Sequence, residues 1–488
     1  MLFPTTTFVY FFIIVLPISW LLLPLSQGRT DWKNRIFWKI FILAASYTFL
    51  GYNQPHVELL SFKIPLPCAV LFISSLFNYV SGEILSRQST QLGRKTVLSL
   101  AITANVAMLG YYKYRNFVID SISDIFGDSI GLPKLSALIV PIAISFFTFQ
   151  AISYLVEIYR KNQENISFID LATYLSFFPH LVAGPIVRPK EFVPQMNGRI
   201  NPTKVEAIRA LSLITRGLFK KMIVADYLYV QIVRPVFGSP GKATSLDAIT
   251  AIYAYSAQIY CDFSGYTDIA IGLALLLGFK FPQNFNRPYC ATSIRDFWAR
   301  WHMTLSRWLR DYIYIPLGGN KKSIFGKKFV SFNVILTFLI GGLWHGSNFT
   351  FVVWGLYHGI LIALERPLRD LLKRQNIQIP KIVKQLITFH LVTFGWILFN
   401  SESFDKAKIL IGRITNGITI ADSKTTIAIV LIILAGLGFQ YIKESFTTNL
   451  LEVLSAKPVI VQALVFGFCL FILSTFSGNV SAFLYGFF

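Results

Sequence analysis

Apolar runs of roughly twenty residues, the length that crosses a bilayer as a helix, recur along almost the whole chain. They begin near Phe8, Ile36, Pro65, Val97, Leu135, Ile208, Ala248, Val330, Phe351, Ile382, Thr426 and Val459. The run near Ile208 is the weakest, because Arg216, Lys220 and Lys221 interrupt it. The pattern predicts an all-α polytopic membrane protein with about eleven transmembrane helices, plus re-entrant and interfacial helices. No internal repeat or low-complexity linker divides the chain, so residues 1–488 read as a single membrane-embedded domain.

Three segments depart from the plain span pattern. Tyr174–Pro189 is apolar but carries Pro179, Gly184, Pro185 and Pro189, which predicts a broken or re-entrant helix buried within protein. Gln258–Phe279 is interrupted by Asp262, Ser264, Gly265, Tyr266, Thr267 and Asp268. Either a polar interior or a helix N-terminus at the interface accounts for its two carboxylates. Residues 293–312, SIRDFWARWHMTLSRWLRDY, give the clearest amphipathic helix. At about 100° per residue, Asp296, Arg300, Arg307, Arg310 and Asp311 fall on one side, with Trp298, His302, Leu305 and Leu309 opposite.

Composition sharpens this picture. The chain is 54% hydrophobic, 16% aromatic and 14% charged, with a mean hydropathy of +0.56, whereas soluble domains carry about 25% charged residues. A soluble enzyme with one anchor is excluded. Residues 1–28 contain no Lys or Arg, so the basic start of a cleavable signal is missing and the first span is expected to stay. Its following flank holds Arg29, Lys33, Arg35 and Lys39 against Asp31, which places that flank in the cytoplasm and Met1 outside. The next loop, Asn53–Leu60, has no Lys or Arg, and the one after has Arg87, Arg94 and Lys95, in keeping with that orientation.

The formal net charge of +21 would suggest nucleic acid in a soluble protein. Here basic loops hold topology and touch anionic lipid, so the lipid bilayer is the expected partner and nucleic acid is not. One basic cluster has a narrower use. Lys280, Arg287, Arg295, Arg300, Arg307, Arg310, Lys321, Lys322, Lys327 and Lys328 face only two Asp in sequence, which suits an anionic cytoplasmic substrate or carrier. Cys68, Cys261, Cys290 and Cys469 lack metal or redox spacing and read as packing residues.

The chemistry concentrates in Phe329–Leu364, which contains no Asp, Glu, Lys or Arg, yet reads GGLWHGSNFTF at its centre. An ionisable group at such depth is costly and normally has a task or a partner. His345, between Trp344 and Gly346, is that group, and imidazole is the side chain best suited to moving protons near neutral pH. His302 alone reads as a hydrogen-bonded core histidine. With His345 on the next apolar hairpin, beyond a turn through Gly318 and Gly319, the two can face one cavity. His358, His180, His390 and His56 are weaker candidates. No histidine–carboxylate cluster has metal-ligand spacing, so no metal is expected. No Gly-rich phosphate loop is present, which argues against ATP hydrolysis.

Five stretches carry a resemblance: SFFTFQAISYLVEIYR, FFPHLVAGPIVRP, YCDFSGYTDIAIGLALLLGF, NFNRPYCATSIRDFWARWHMTLSRWLRDYIYIPLGGN and GGLWHGSNFTFVVWGLYHG. Together they cover roughly residues 141–360 and resemble the membrane-bound O-acyltransferase family. The similarity is nearest to its bacterial branch of alginate O-acetylation and teichoic-acid D-alanylation proteins. One departure is His180, where the family pattern FFPQLVAGP has Gln.

The resemblance implies many helices around a central chamber. It also implies that His345 is the catalytic base, that His302 lines the chamber, and that the location is a bacterial inner membrane. The expected reaction moves an acyl group, above all acetyl, from a cytoplasmic thioester to a hydroxyl. The donor would be acetyl-CoA or an acyl-carrier thioester, and no cofactor stays bound. The acceptor would be an extracytoplasmic polysaccharide or a serine on a polysaccharide-modifying partner protein.

A neutral His345 would take the hydroxyl proton. His302 would orient the donor first of all, or stabilise the oxyanion or relay a proton. Trp344, Asn348, Tyr266 and Trp298 are candidate wall residues. Arg295, Arg300 and Arg307 suit either the donor's phosphates or lipid headgroups. The competing class is a transporter or flippase of lipid-linked sugars with a histidine proton relay, which would be expected to show related halves.

Overall fold

A computed structural model describes residues 1–23, 35–59, 62–126, 138–198, 206–320, 330–415, 419, 421 and 423–475. Several residues used above lie outside this set: Arg29, Asp31, Lys33, Leu60, the start of the run at Leu135, Lys321, Lys322, Lys327, Lys328 and Phe329. Among the described residues, regular structure is helical except for one antiparallel hairpin, β1 (His56–Leu59) with β2 (Phe62–Pro65), in which Val57 faces Ile64. The hairpin begins in the loop Asn53–Leu60, which the sequence marked only by its lack of Lys and Arg. His56 sits at its exposed end.

The chain forms two compact units, Met1–Ala210 with Ala270–Pro282, and Leu211–Ile269 with Gln283–Phe488. The first unit contains α1 (Thr6–Leu22), α2 (Ile36–Gly51), α3 (Leu66–Arg87), α4 (Gln91–Lys113), α5 (Arg115–Phe126), α6 (Ile144–Tyr159), α7 (Phe168–Ser176), α8 (Phe178–Leu181) and α9 (Pro189–Asn197). Asn78 of α3 and Asn105 of α4 exchange side-chain hydrogen bonds of 3.1 and 2.9 Å, satisfying both amides inside an apolar contact. Buried Arg94 donates to the carbonyls of Leu85, Ile158 and Tyr159, which caps the C-terminal turns of α3 and α6.

The predicted broken helix is present. Phe177 separates α7 from α8, and residues 171–187 are all buried, as irregular backbone in a membrane protein requires. His180 donates from Nε2 to the Tyr174 carbonyl at 2.9 Å and packs among Phe177, Phe192 and Phe281. It is a core histidine of the first unit, bonded through Nε2.

The second unit opens at Leu211, inside α10 (Ala207–Leu218), and takes in α13 as far as Ile269; the backbone runs on from α10 through π-helical turns at Phe219–Ala225 and Tyr229–Val233, with α11 (Asp226–Leu228) and α12 (Arg234–Gly238) after each. Then come α13 (Ser245–Leu276), α14 (Ile294–Arg300), α15 (Met303–Leu309), α16 (Val330–His345), α17 (Phe349–Arg374), α18 (Lys381–Asn400), α19 (Phe404–Thr415), α20 (Ile427–Gly438), α21 (Glu444–Ser455) and α22 (Val459–Thr475). Thr244 and Asp247 start α13 by exchanging side-chain-to-backbone bonds of 3.3 and 3.1 Å.

Of the two readings of Gln258–Phe279, a polar interior or a helix start at the interface, the structure has the first. α13 is continuous over 32 residues, and Asp262 and Asp268 lie in its middle, 1% and 8% exposed, rather than at a helix start. The reason is pairing. Arg216 grips Asp268 with two bonds of 3.0 and 2.8 Å, Lys220 reaches the same carboxylate at 2.8 Å, and Lys221 bridges Asp226 at 2.8 Å and Asp262 at 2.6 Å. A close crossing brings these groups together. A Cβ on Gly217 would lie 2.5 Å from the Gly265 carbonyl oxygen, so only glycine admits the approach. The charges that weaken the Ile208 run are the partners of those that interrupt the next one.

Among the described residues, α3, α13 and α18 are long and apolar enough to cross a membrane. The helix pair Ile427–Tyr441 and Ser445–Ser455, bent by 85°, makes a fourth if it crosses as one. α1, α2, α6, α16 and α22 are apolar but shorter. The protein is therefore mostly helical and multi-pass.

Candidate active site

The amphipathic segment 293–312 is not one helix. α14 ends at Arg300, α15 starts at Met303, and His302 between them has φ 41°, in the left-handed region. Long-range bonds make this break. The Met303 N–H donates to the Asn284 carbonyl at 2.9 Å, and the Asn286 N–H donates to the Arg300 carbonyl at 2.9 Å, so residues 284–286 lie alongside 300–303. The first amides of α15 thus find partners outside the helix, and the helical wheel does not carry across the joint.

His302 is fully enclosed. Its Nδ1 lies 3.1 Å from Asn284 Oδ1, and that oxygen also accepts from the Thr304 backbone N–H at 3.1 Å and the Thr304 hydroxyl at 2.9 Å. Phe263 of α13 meets the imidazole edge-on, with ring centroids 4.6 Å apart and planes at 88°. The Trp344 ring lies 6.3 Å from the same imidazole.

His345 ends α16, one residue beyond Trp344. It packs at 4.9 Å on Trp344, 5.1 Å on Trp354 and 5.1 Å on Phe399, centroid to centroid. It is buried, as His302 is. Trp344 therefore contacts both histidines predicted as catalytic. The hairpin that presents His345 is held by close contact of α16 with α17. A Cβ on Gly342 would fall 2.3 Å from the Phe351 carbonyl oxygen, and one on Gly355 would fall 2.4 Å from that of Phe338.

The other predicted residues divide. Trp298 is in the cluster: its indole N–H donates to His358 Nδ1 at 3.3 Å, and its ring lies 5.7 Å from Trp354. Tyr266 is buried on α13 one turn beyond Phe263. Asn348 is engaged in architecture. It accepts from the Thr350 N–H at 3.0 Å as the N-cap of α17 and donates to the Glu402 carbonyl at 2.7 Å. Arg295 is exposed, and Arg300 pairs with Asp296 at 2.7 Å, so neither is drawn into the aromatic cluster. His390 bonds Tyr253 at 3.0 Å on an exposed face.

Sequence reasoning missed two contributors, Trp354 and Asn284, and ranked a third, His358, among the weaker candidates. Trp354 and His358 are four apart on α17, with rings 5.1 Å apart, and that spacing puts them on one helix face. Asn284 carries no such periodic signal.

The family model for membrane-bound O-acyltransferases matches residues 49–404. A Pseudomonas aeruginosa protein named as a probable alginate O-acetylase is 37% identical over 392 residues, covering 79% of this chain and 71% of the relative. The Helicobacter pylori peptidoglycan O-acetyltransferase is 36% identical over 455 residues, covering 86% and 81%. The Bacillus subtilis teichoic acid D-alanyltransferase is 32% identical over 283 residues, covering 54% and 69%. With its helical build and two enclosed imidazoles sharing Trp344, the chain belongs to the membrane-bound O-acyltransferase family and is an acyl-transferring enzyme.

Proposed function

We propose that this protein moves an acetyl group from a cytoplasmic thioester, acetyl-CoA or an acyl-carrier thioester, to a hydroxyl on the far side of a bacterial inner membrane. The final acceptor is a cell-surface polysaccharide, reached directly or through a serine of an extracytoplasmic partner protein. One membrane domain with about eleven spans around a central chamber would let the two substrates meet. The observation that carries the reading is the position of His345, an imidazole at a helix end among Trp344, Trp354 and Phe399. The O-acetylating relatives support acetyl as the group and a glycan as the acceptor.

In this reading the acceptor hydroxyl attacks the thioester carbonyl carbon while His345 takes its proton. The tetrahedral oxyanion collapses, the carbon–sulfur bond breaks, and the thiolate leaves with the proton that His345 acquired. His302 holds a substrate group in register, beside Trp344. Trp344, Trp298 and Tyr266 serve as wall residues. Arg295, Arg300 and Arg307 would act at the donor's phosphates before it enters, and Asn348 holds the start of α17.

His345→Ala is the direct test. Membranes bearing it are expected to lose acyl transfer by at least about a hundredfold, the scale of general-base catalysis, with the protein still inserted and folded. Product formation within threefold of wild type would remove His345 from the base role. Mass analysis of the surface polymer with and without the gene identifies the acceptor.

A further inference from the structure

We infer that Asn284 is a positioning residue that fixes which nitrogen of His302 carries the proton, leaving Nε2 as a hydrogen-bond acceptor toward a substrate N–H or O–H. The inference rests on the acyltransferase reading for its substrate, but its first step is independent of any reaction.

The Thr304 backbone N–H can only donate, and the atom 3.1 Å from it on Asn284 must therefore be the amide oxygen, Oδ1. The same oxygen lies 3.1 Å from His302 Nδ1. An oxygen with only lone pairs requires a donor there, so Nδ1 bears the hydrogen. A neutral imidazole with Nδ1–H has its lone pair on Nε2. The Thr304 hydroxyl, 2.9 Å from Oδ1, adds a third donor to the same atom and holds the amide against flipping. The Asn284 backbone is anchored as well, through its carbonyl and the Met303 N–H at 2.9 Å.

This assignment removes one of the three roles the sequence left open for His302, stabilisation of the oxyanion. A neutral ring with its lone pair on Nε2 cannot donate a hydrogen bond from that atom, so it does not stabilise a developing oxyanion. It can accept from a substrate hydroxyl or from an amide N–H of a thioester's arm. Orientation of a substrate group is a role that fits. Asn284 also closes the first turn of α15, so its replacement must be read with variants that separate capping from orientation.

The test has two arms. In the first, the full-length protein is labelled with 15N-histidine and reconstituted in lipid, and His302 is assigned by comparison with His302→Gln. The expected spectrum has Nδ1 as the protonated, pyrrole-like nitrogen and Nε2 as the bare, pyridine-like one. A protonated Nε2 would overturn the inference, whether or not the protein transfers acyl groups. In the second arm, His302→Gln places a carboxamide oxygen near the Nε2 position, whereas His302→Asn reaches only the Nδ1 position. Acyl transfer by the Gln variant at ten times the Asn variant or more is expected. Equal or reversed rates in folded protein would overturn the acceptor role. Should both variants fail to fold, Asn284→Asp decides. It keeps the bonds to Met303 and Thr304 but places a charge against Nδ1, so the pH–rate profile of the folded fraction shifts. An unshifted profile counts against the inference. A wild-type protein without acyl transfer would instead refute the reading of function and leave the tautomer measurement standing.

Discussion

Lys221 shows how single residues set this fold. It is buried and holds two carboxylates, Asp226 at 2.8 Å and Asp262 at 2.6 Å. Removing one member of such a set leaves uncompensated charge in a dry place, at about 3–5 kcal/mol. Lys221→Met is therefore expected to lower the melting temperature in detergent sharply, and adding Asp226→Asn and Asp262→Asn should restore most of it. A single variant that melts like wild type would mean that the bridge carries no stability. At this scale the sequence was informative wherever a polar side chain stood alone. His345 stood out because the stretch around it has no charge, and its enclosure by Trp354 and Phe399 is as the pattern predicts. Asn284 did not, because its task depends on a segment 18 residues later folding back to receive it. No periodicity records such a contact.

Elements were legible where hydrogen bonding is local and misread where it is not. The prolines of Tyr174–Pro189 gave the break between α7 and α8 directly, since proline removes a local donor. The sequence left α13 open between a polar interior and a helix start, because nothing local shows that Lys221, Lys220 and Arg216 stand beside the two aspartates. The helical wheel over 293–312 named the buried face, Trp298, His302, Leu305 and Leu309, but not the break, because backbone bonds to residues 284–286 divide the segment. The α16–α17 hairpin can be tested as an element. Its helices touch at Gly342 and Gly355, where a methyl group would stand 2.3 and 2.4 Å from a facing carbonyl oxygen. Gly342→Ala or Gly355→Ala must push the helices apart, at about 1–3 kcal/mol for each overpacked site. Because His345 is the last residue of α16, the displacement is also expected to lower kcat at least tenfold in the fraction that folds, a size typical of small misplacements at a reacting centre. A stability loss with kcat unchanged would show that the crossing holds the helices without aiming the imidazole.

For the whole molecule, the decisive property is sidedness. α13 alone, at about 1.5 Å per residue, is long enough to exceed a hydrocarbon core of about 30 Å. Over the first three loops basic residues gather at 29–39 and 87–95 and are absent from Asn53–Leu60, the kind of alternation that fixes orientation in a membrane. An enzyme that takes an anionic thioester from the basic face and delivers its acyl group across the bilayer should work from one side only. Inverted membrane vesicles present the cytoplasmic face outward, so a membrane-impermeant thioester added outside them should be consumed, with the acyl group appearing on a hydroxyl surrogate sealed within. Right-side-out vesicles given the same thioester should be inactive until a detergent opens them. A transporter of lipid-linked sugars would move its cargo in either preparation without consuming thioester. Equal thioester turnover in the two intact preparations would place donor and acceptor on the same side and refute transfer across the membrane, while leaving the acyl chemistry at His345 open to its own test.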